Sequence, residues 1–214
     1  MNKQFFVVVL VIVAALVGVF AMTKEKSPDS QSGSSAQVTA SEHTVGAGNK
    51  KVTLTEYGDF QCPACKQYFP LVKQIKEAYG DDIKFQFRHF PLTQIHPNAF
   101  IGSRAAEAAG KQGKFFEMHD LLYENQDSWS QAGNPTEILN TFATQLNLNV
   151  EQFKKDMMSE NAADVINADI KAATGLGANS TPTFAINGRK IGENPRSLEE
   201  FKKLIDEEIA KANQ

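Results

Sequence analysis

The chain opens on an unbroken apolar run and becomes periodic only later. From Phe5 to Met22 every residue is apolar or glycine, with Lys3 ahead of it. At about 1.5 Å per residue such a helix is about 27 Å long, close to the hydrocarbon thickness of a bilayer. Segment 1–22 is therefore expected to be a hydrophobic helix that meets the membrane, as a retained anchor or as a cleaved signal. Lys3 on one side and Lys24 and Lys26 on the other give no charge bias for orientation. Residues 23–49 are rich in Ser, Gly, Ala, Gln and Thr without apolar periodicity, and read as a flexible linker.

Regular patterning starts near residue 50. Val52, Leu54 and Glu56 alternate with Thr53, Thr55 and Tyr57 in the rhythm of a strand, which puts Glu56 on the face of two aliphatics. After Gly58 and Asp59 the period turns helical, with Cys65, Tyr68, Val72, Ile75 and Tyr79 on one stripe and Gly80 as a stop. Ile83 to Phe90 alternates again. Strand, helix and strand in this order make a right-handed parallel unit. From His96 to about Ala173 only helix and turn signals recur, including helical stripes at Ala105–Ala109 and Phe115–Tyr123. Asn134-Pro135-Thr136-Glu137 supplies a cap with proline at the first helical position, and Asn149 with Gln152 repeats the capping pattern. Thr183–Ile186, Asn187-Gly188 and Arg189–Ile191 predict a hairpin on a primed turn, and Ser197 with Glu200 caps a last helix to about Ala212.

Composition narrows the function. With 214 residues, 42% of them hydrophobic, one principal domain is expected. Lys and Arg number 22 against 25 Asp and Glu, so nothing favours a phosphate backbone and no nucleic-acid partner is expected. Two cysteines cannot staple a small scaffold or supply a zinc finger. His43, His89, His96 and His119 are scattered, His43 in the linker, so neither a metal nor a cofactor is expected. Gly175-Leu176-Gly177 ends a helix instead of following a strand, which argues against a dinucleotide loop. Trp129, Phe115 and Phe116 read as core, Arg88 and His89 as structural residues near a strand end, and His96 as the start of a helix.

The chemistry concentrates in Cys62-Pro63-Ala64-Cys65, where the first strand hands over to the first helix. A thiol there faces unpaired N–H groups and the positive end of the helix dipole, which favour the thiolate, the form that attacks disulfides. The dipole alone gives about 0.3 to 1 kcal/mol, so a larger effect needs hydrogen bonds to sulfur; Pro63 has no N–H, leaving Ala64 and Cys65 as donors. Cys65 lies one turn in on the buried stripe. A purely structural disulfide would close a tiny loop worth only about 2 kcal/mol, weak use of the sole pair. Glu56 is aimed at the same interior, where burial raises a carboxyl pKa and fits it to exchange a proton with Cys65.

Glu56, the Cys62-Pro63-Ala64-Cys65 motif, Pro70 in the helix that follows, and Ser180-Thr181-Pro182-Thr183 before the hairpin resemble the thioredoxin superfamily. The long helical stretch resembles, more narrowly, the DsbA-type thiol:disulfide oxidoreductases, in which a helical domain is inserted into the thioredoxin fold. Plain thioredoxin is the poorer match, since no tryptophan precedes Cys62 and the insert is long. The resemblance implies an α/β thioredoxin-like fold over 50–214, a βαβ unit and then a ββα unit on a mixed sheet, with the helical insertion at about 96–175. It implies Cys62 as nucleophile, Cys65 as the resolving thiol of a redox-active disulfide, Pro182 as a cis-proline beside it, and a Thr181 backbone open to an extended peptide. It also places a buried acid at Glu56. Ala64 departs from the histidine that the best-known oxidants carry there, and offers the thiolate no charge.

The expected function is an extracytoplasmic enzyme that forms disulfides in cysteine-containing exported polypeptides and is reoxidised by a membrane-embedded redox partner. It would sit on the outer face of the cell membrane through its N-terminal helix, or be secreted or periplasmic after cleavage. A reductase or isomerase using the same site is the alternative, and a tethered binding or chaperone module with dispensable cysteines is the alternative of another class.

Overall fold

The computed structural model describes residues 40–213; the apolar run and the stretch 23–39 lie outside them. In chain order the elements are β1 (His43–Val45), β2 (Val52–Gly58), α1 (Pro63–Tyr79), β3 (Ile83–His89), α2 (Ala99–Gly110), α3 (Phe115–Glu124), α4 (Gln126–Ser130), α5 (Thr136–Gln145), α6 (Val150–Met157), α7 (Glu160–Gly175), β4 (Thr183–Ile186), β5 (Arg189–Lys190) and α8 (Leu198–Ala212). No helix among the described residues is long and apolar enough to cross a membrane.

The strands form one mixed sheet in the order β1-β3-β2-β4-β5. β2 and β3 run parallel, with Glu56 opposite Phe87, while β4 joins β2 antiparallel, with Glu56 opposite Phe184. Glu56 is therefore mid-sheet, flanked by two phenylalanines. β3 keeps the alternation of its sequence, burying Ile83, Phe85 and Phe87 and leaving Lys84, Gln86 and Arg88 half-buried. α1 begins on Pro63, which has no N–H to leave unpaired, buries Cys65, Phe69, Val72 and Ile75, and ends at Gly80 with φ 50°. α8 packs on α1 and β2 through buried Phe201 and Ile205. The β4–β5 turn has φ of 50° at Asn187 and 75° at Gly188, the pair of left-handed residues that a primed turn requires.

The helices α2 to α7 lie between β3 and β4. α3 joins them to the sheet: the rings of His119 and Tyr123 stand 5.6 and 5.1 Å from that of Phe60, just upstream of Cys62. Gly58 permits this approach, because a Cβ there would lie 2.8 Å from Phe87 Cζ and 3.0 Å from Tyr123 Oη.

The folded part starts earlier than expected. β1 lies inside the stretch read as linker and pairs antiparallel with β3, His43 opposite Phe87 and Val45 opposite Phe85. Three residues are too few to show a period, and the left-handed Gly46 and Gly48 that follow have the composition of a linker. Long-range bonds fasten the segment instead: the backbone N–H and hydroxyl of Ser41 donate to Asp169 (2.9 and 2.5 Å). A smaller difference concerns α5, which starts at Thr136 with Pro135 ahead of it, its first turn served by Asn134 Oδ1, which accepts from Thr136 N.

Candidate active site

Cys62 stands at the N-terminal cap of α1 with extended backbone (φ −69°, ψ 123°), and both cysteines are free thiols. The Cys62 thiol reaches the Thr181 carbonyl oxygen at 3.4 Å, across 119 residues of chain. That oxygen belongs to the Thr181–Pro182 peptide, which is cis. Pro63 and Ala64 form the first turn of α1, Ala64 half-buried and Pro63 exposed. The structure thus brings together Cys62, Pro63, Ala64, Cys65, Thr181 and Pro182, with Glu56 in the sheet beneath.

The two thiols sit in opposite electrostatic settings. A hydrogen bond from the Cys65 thiol, with help from Thr181 and the N–H groups of Cys65 and Ala64, brings Cys62 down to about 5 against the opposing effect of burial. Cys65 is fully buried, and burial first, then its bond to Cys62 and the nearby Glu56, push its thiol well above the ordinary cysteine range. Its sulfur accepts from Asp59 N at 3.5 Å. Burial likewise lifts Glu56 to about 8; Lys76 works against this and Cys62 adds to it. At neutral pH the set holds one thiolate, one thiol and one protonated carboxyl. An acid poised near the working pH beside a thiol of high pKa can deliver or accept the proton that Cys65 exchanges whenever its sulfur enters or leaves a disulfide.

A family model described as Thioredoxin matches residues 38–207. The chain belongs to the thioredoxin family. Its fold is DsbA-like: this thioredoxin-family chain is similar to alpha-DsbA1 of Wolbachia pipientis, at 24% identity and a TM-score of 0.68 over 80% of this chain and 92% of that one. It is similar to BdbD of Bacillus subtilis, again at 24% identity and a TM-score of 0.68, over 81% of this chain and 98% of that one. In sequence it is 36% identical over 171 residues to the Na(+)/H(+) antiporter NhaA 3 of Salinispora tropica, covering 80% of this chain and 25% of that protein. It is 33% identical over 150 residues to the Na(+)/H(+) antiporter NhaA of Herminiimonas arsenicoxydans, covering 70% and 23%. The chain spans about a quarter of the length of the curated relatives it matches.

Several residues that hold the Cys62 turn carried no expectation. The buried Asp59 carboxylate accepts from Gln61 N (2.8 Å), Leu92 N (2.9 Å) and His96 Nδ1 (2.7 Å). His96 is thus a partner of the site loop and does not start a helix as expected, since α2 begins at Ala99 after an Asn98 cap. Gln61 donates to Ser130 O and accepts from Asn98 N, and the Gln126 amide donates to both Phe60 O (2.8 Å) and Cys62 O (3.0 Å). Asp59 could have been found from its two-residue spacing to Gln61, the signature of an Asx turn. Gln126 could not, because its partners lie more than 60 residues away.

Proposed function

We propose that the chain is a thiol:disulfide oxidoreductase that oxidises cysteine pairs of exported polypeptides outside the cytoplasm, through the Cys62–Cys65 pair. The observation that carries this reading is the contrast at the head of α1 between Cys62, at about 5, and the buried Cys65, held well above its ordinary range. A Cys62 thiolate this stable is a good leaving group, and it favours the reduced form of the protein, as expected of an oxidant.

In the oxidised enzyme a substrate thiolate attacks Cys62 Sγ. The Sγ–Sγ bond breaks, and Cys65 leaves with its electron pair and takes a proton from Glu56 or through water. A second substrate thiolate then attacks the substrate sulfur of the mixed disulfide and expels Cys62 as a thiolate. The substrate loses two electrons and two protons and gains one disulfide; the enzyme takes the electrons as a Cys62 thiolate and a Cys65 thiol, one proton passing to Cys65 and the other to solvent. A membrane-embedded redox partner is the proposed acceptor that restores the disulfide. The Thr181 backbone, just before β4 and beside Cys62, is the proposed seat of the substrate's extended chain.

The test is stoichiometric oxidation of a reduced, unfolded cysteine protein by the oxidised enzyme, together with the reduction potential of the 62–65 pair in glutathione buffers. A potential near −120 mV supports the oxidant, and one near about −270 mV turns the reading to the reductase on the same site. Full activity in Cys62→Ser removes both and leaves a binding module.

A further inference from the structure

Away from the Cys62 site, the described residues gather a group of metal-ligating side chains that the sequence keeps far apart: His43, His89 and Glu107, from β1, β3 and α2. One ligand atom from each lies within 4.8 Å of the other two. Both imidazoles turn Nε2 to the same carboxylate oxygen, Glu107 Oε1, at 2.6 Å from His43 and 2.8 Å from His89. Along the sequence the histidines are scattered, with His43 in the stretch read as linker; pairing of β1 with β3 brings His43 and His89 together.

The surroundings are those of a built site. His89 is wholly buried, the Glu107 side chain is 10% exposed and that of His43 21%. The His43 ring is stacked on Phe115, centroids 3.4 Å apart and planes within 8°. Asp169 fixes both strands, accepting from Ser41 N, the Ser41 hydroxyl and His89 N, and its own charge is met by Arg88 at 3.2 Å. His89 Nδ1, the nitrogen that carries the ring proton once Nε2 holds a metal, is buried with no hydrogen-bond partner among the described residues.

We propose that His43, His89 and Glu107 bind one divalent transition-metal ion of the zinc type, which bolts β1 to β3 and α2. The donor set selects the class: two imidazoles and one carboxylate suit zinc and its neighbours, whereas calcium and magnesium take six or more oxygens. Zinc bonds of about 2.0 to 2.2 Å in a tetrahedron put ligand atoms roughly 3.3 Å apart, so the N···O separations of 2.6 and 2.8 Å open by about 0.7 and about 0.5 Å on binding. His43, the most exposed of the three, is the side chain free to give, and the fourth position on its side takes water. Binding at Nε2 moves the ring proton of each neutral imidazole to Nδ1, and the metal takes the place of the two hydrogen bonds to Glu107.

The test uses the full chain in detergent with Cys62 and Cys65 joined as a disulfide, so that neither thiolate competes for metal. After chelator treatment, zinc chloride is titrated calorimetrically at pH 7.5, with cobalt chloride as a spectroscopic probe of coordination. The expected result is one ion per chain, a raised unfolding temperature, and a loss of affinity of about 100-fold or more in His43→Gln and in His89→Gln. His43→Gln keeps a donor for Glu107 and alters a partly exposed residue, so its fold can be checked by near-ultraviolet circular dichroism and it decides the case. Equal zinc affinity in wild type and folded His43→Gln, no zinc binding by wild type, or calcium binding tighter than zinc would each overturn the proposal.

Discussion

Replacing Glu56 by Gln should change how the stability of the reduced protein responds to pH, by an amount that follows from burial. Folding raises this carboxyl from an ordinary 4.5 to about 8. Between those values the folded state holds a proton that the unfolded chain has lost, so this residue makes stability fall as pH rises, by about 1.4 kcal/mol per pH unit. The interval of about 3.5 units then amounts to about 5 kcal/mol, complete above pH 8 and absent below pH 4.5. Cys62 tilts the other way: its thiol is depressed from 9.0 to about 5, so its contribution is full above pH 9 and fades as pH falls to 5. The two slopes oppose each other across pH 5 to 8, which should leave the wild-type curve nearly level there. Glu56→Gln removes one slope and keeps the other, so the variant should gain stability steadily from pH 5 to 8. A buried amide with unmet donors costs about 1 to 3 kcal/mol at every pH, making the variant the weaker protein near pH 4.5 and the stronger near pH 8. Urea unfolding of both reduced proteins at half-unit pH steps measures the difference. A wild-type-minus-variant stability independent of pH would refute the buried-acid account, and with it Glu56 as a proton partner of Cys65.

Alkylation of the reduced protein should proceed at Cys62 with an apparent pKa near 5 while Cys65 stays unmodified below pH 9, as read by mass spectrometry of quenched samples. Gln126→Leu should cost about 1 to 3 kcal/mol, since Phe60 O and Cys62 O lose their amide donor, and should broaden the Cys62 titration as the turn loosens; urea unfolding and the thiolate absorbance report the two effects. Gly58→Ala should cost about 1 to 3 kcal/mol through overpacking against the fully buried Phe87 and Tyr123, measured as a shift in the unfolding midpoint. Asp59→Ala should leave Gln61 N and Leu92 N without acceptors and cost about 2 kcal/mol or more, with a lower rate of disulfide exchange as the loop ahead of Cys62 loses its tie to His96.

Where a structural element has an intact period or a local cap, the sequence displayed it. β3 buries every second residue, α8 opens on Ser197, whose hydroxyl accepts from Glu200 N, and the Asn187-Gly188 turn takes the left-handed pair its composition demands. The Cys62–Cys65 pair and Glu56 were visible for the same reason, since a switch of period and a strand face place them without knowledge of the rest. β1 was hidden because its place comes from pairing with β3 and from the bond between Ser41 and Asp169, 128 residues away. Gln126, His96 and the His43–His89–Glu107 group belong to that second kind. Each is defined by a partner on another element, and one chain read in order carries no trace of it.

Among the described residues the sheet is bounded by its two shortest strands, three residues of β1 on one side and two of β5 on the other, and β5 consists of the exposed cations Arg189 and Lys190. An open row of backbone donors and acceptors is a template on which unfolded chains stack into aggregates, and short or charged rims deny them a foothold. A protein whose proposed clients are unfolded polypeptides meets that hazard at every encounter. Its own borders leave such a client little to pair with, so a stray chain is free to diffuse away instead of seeding a growing fibril.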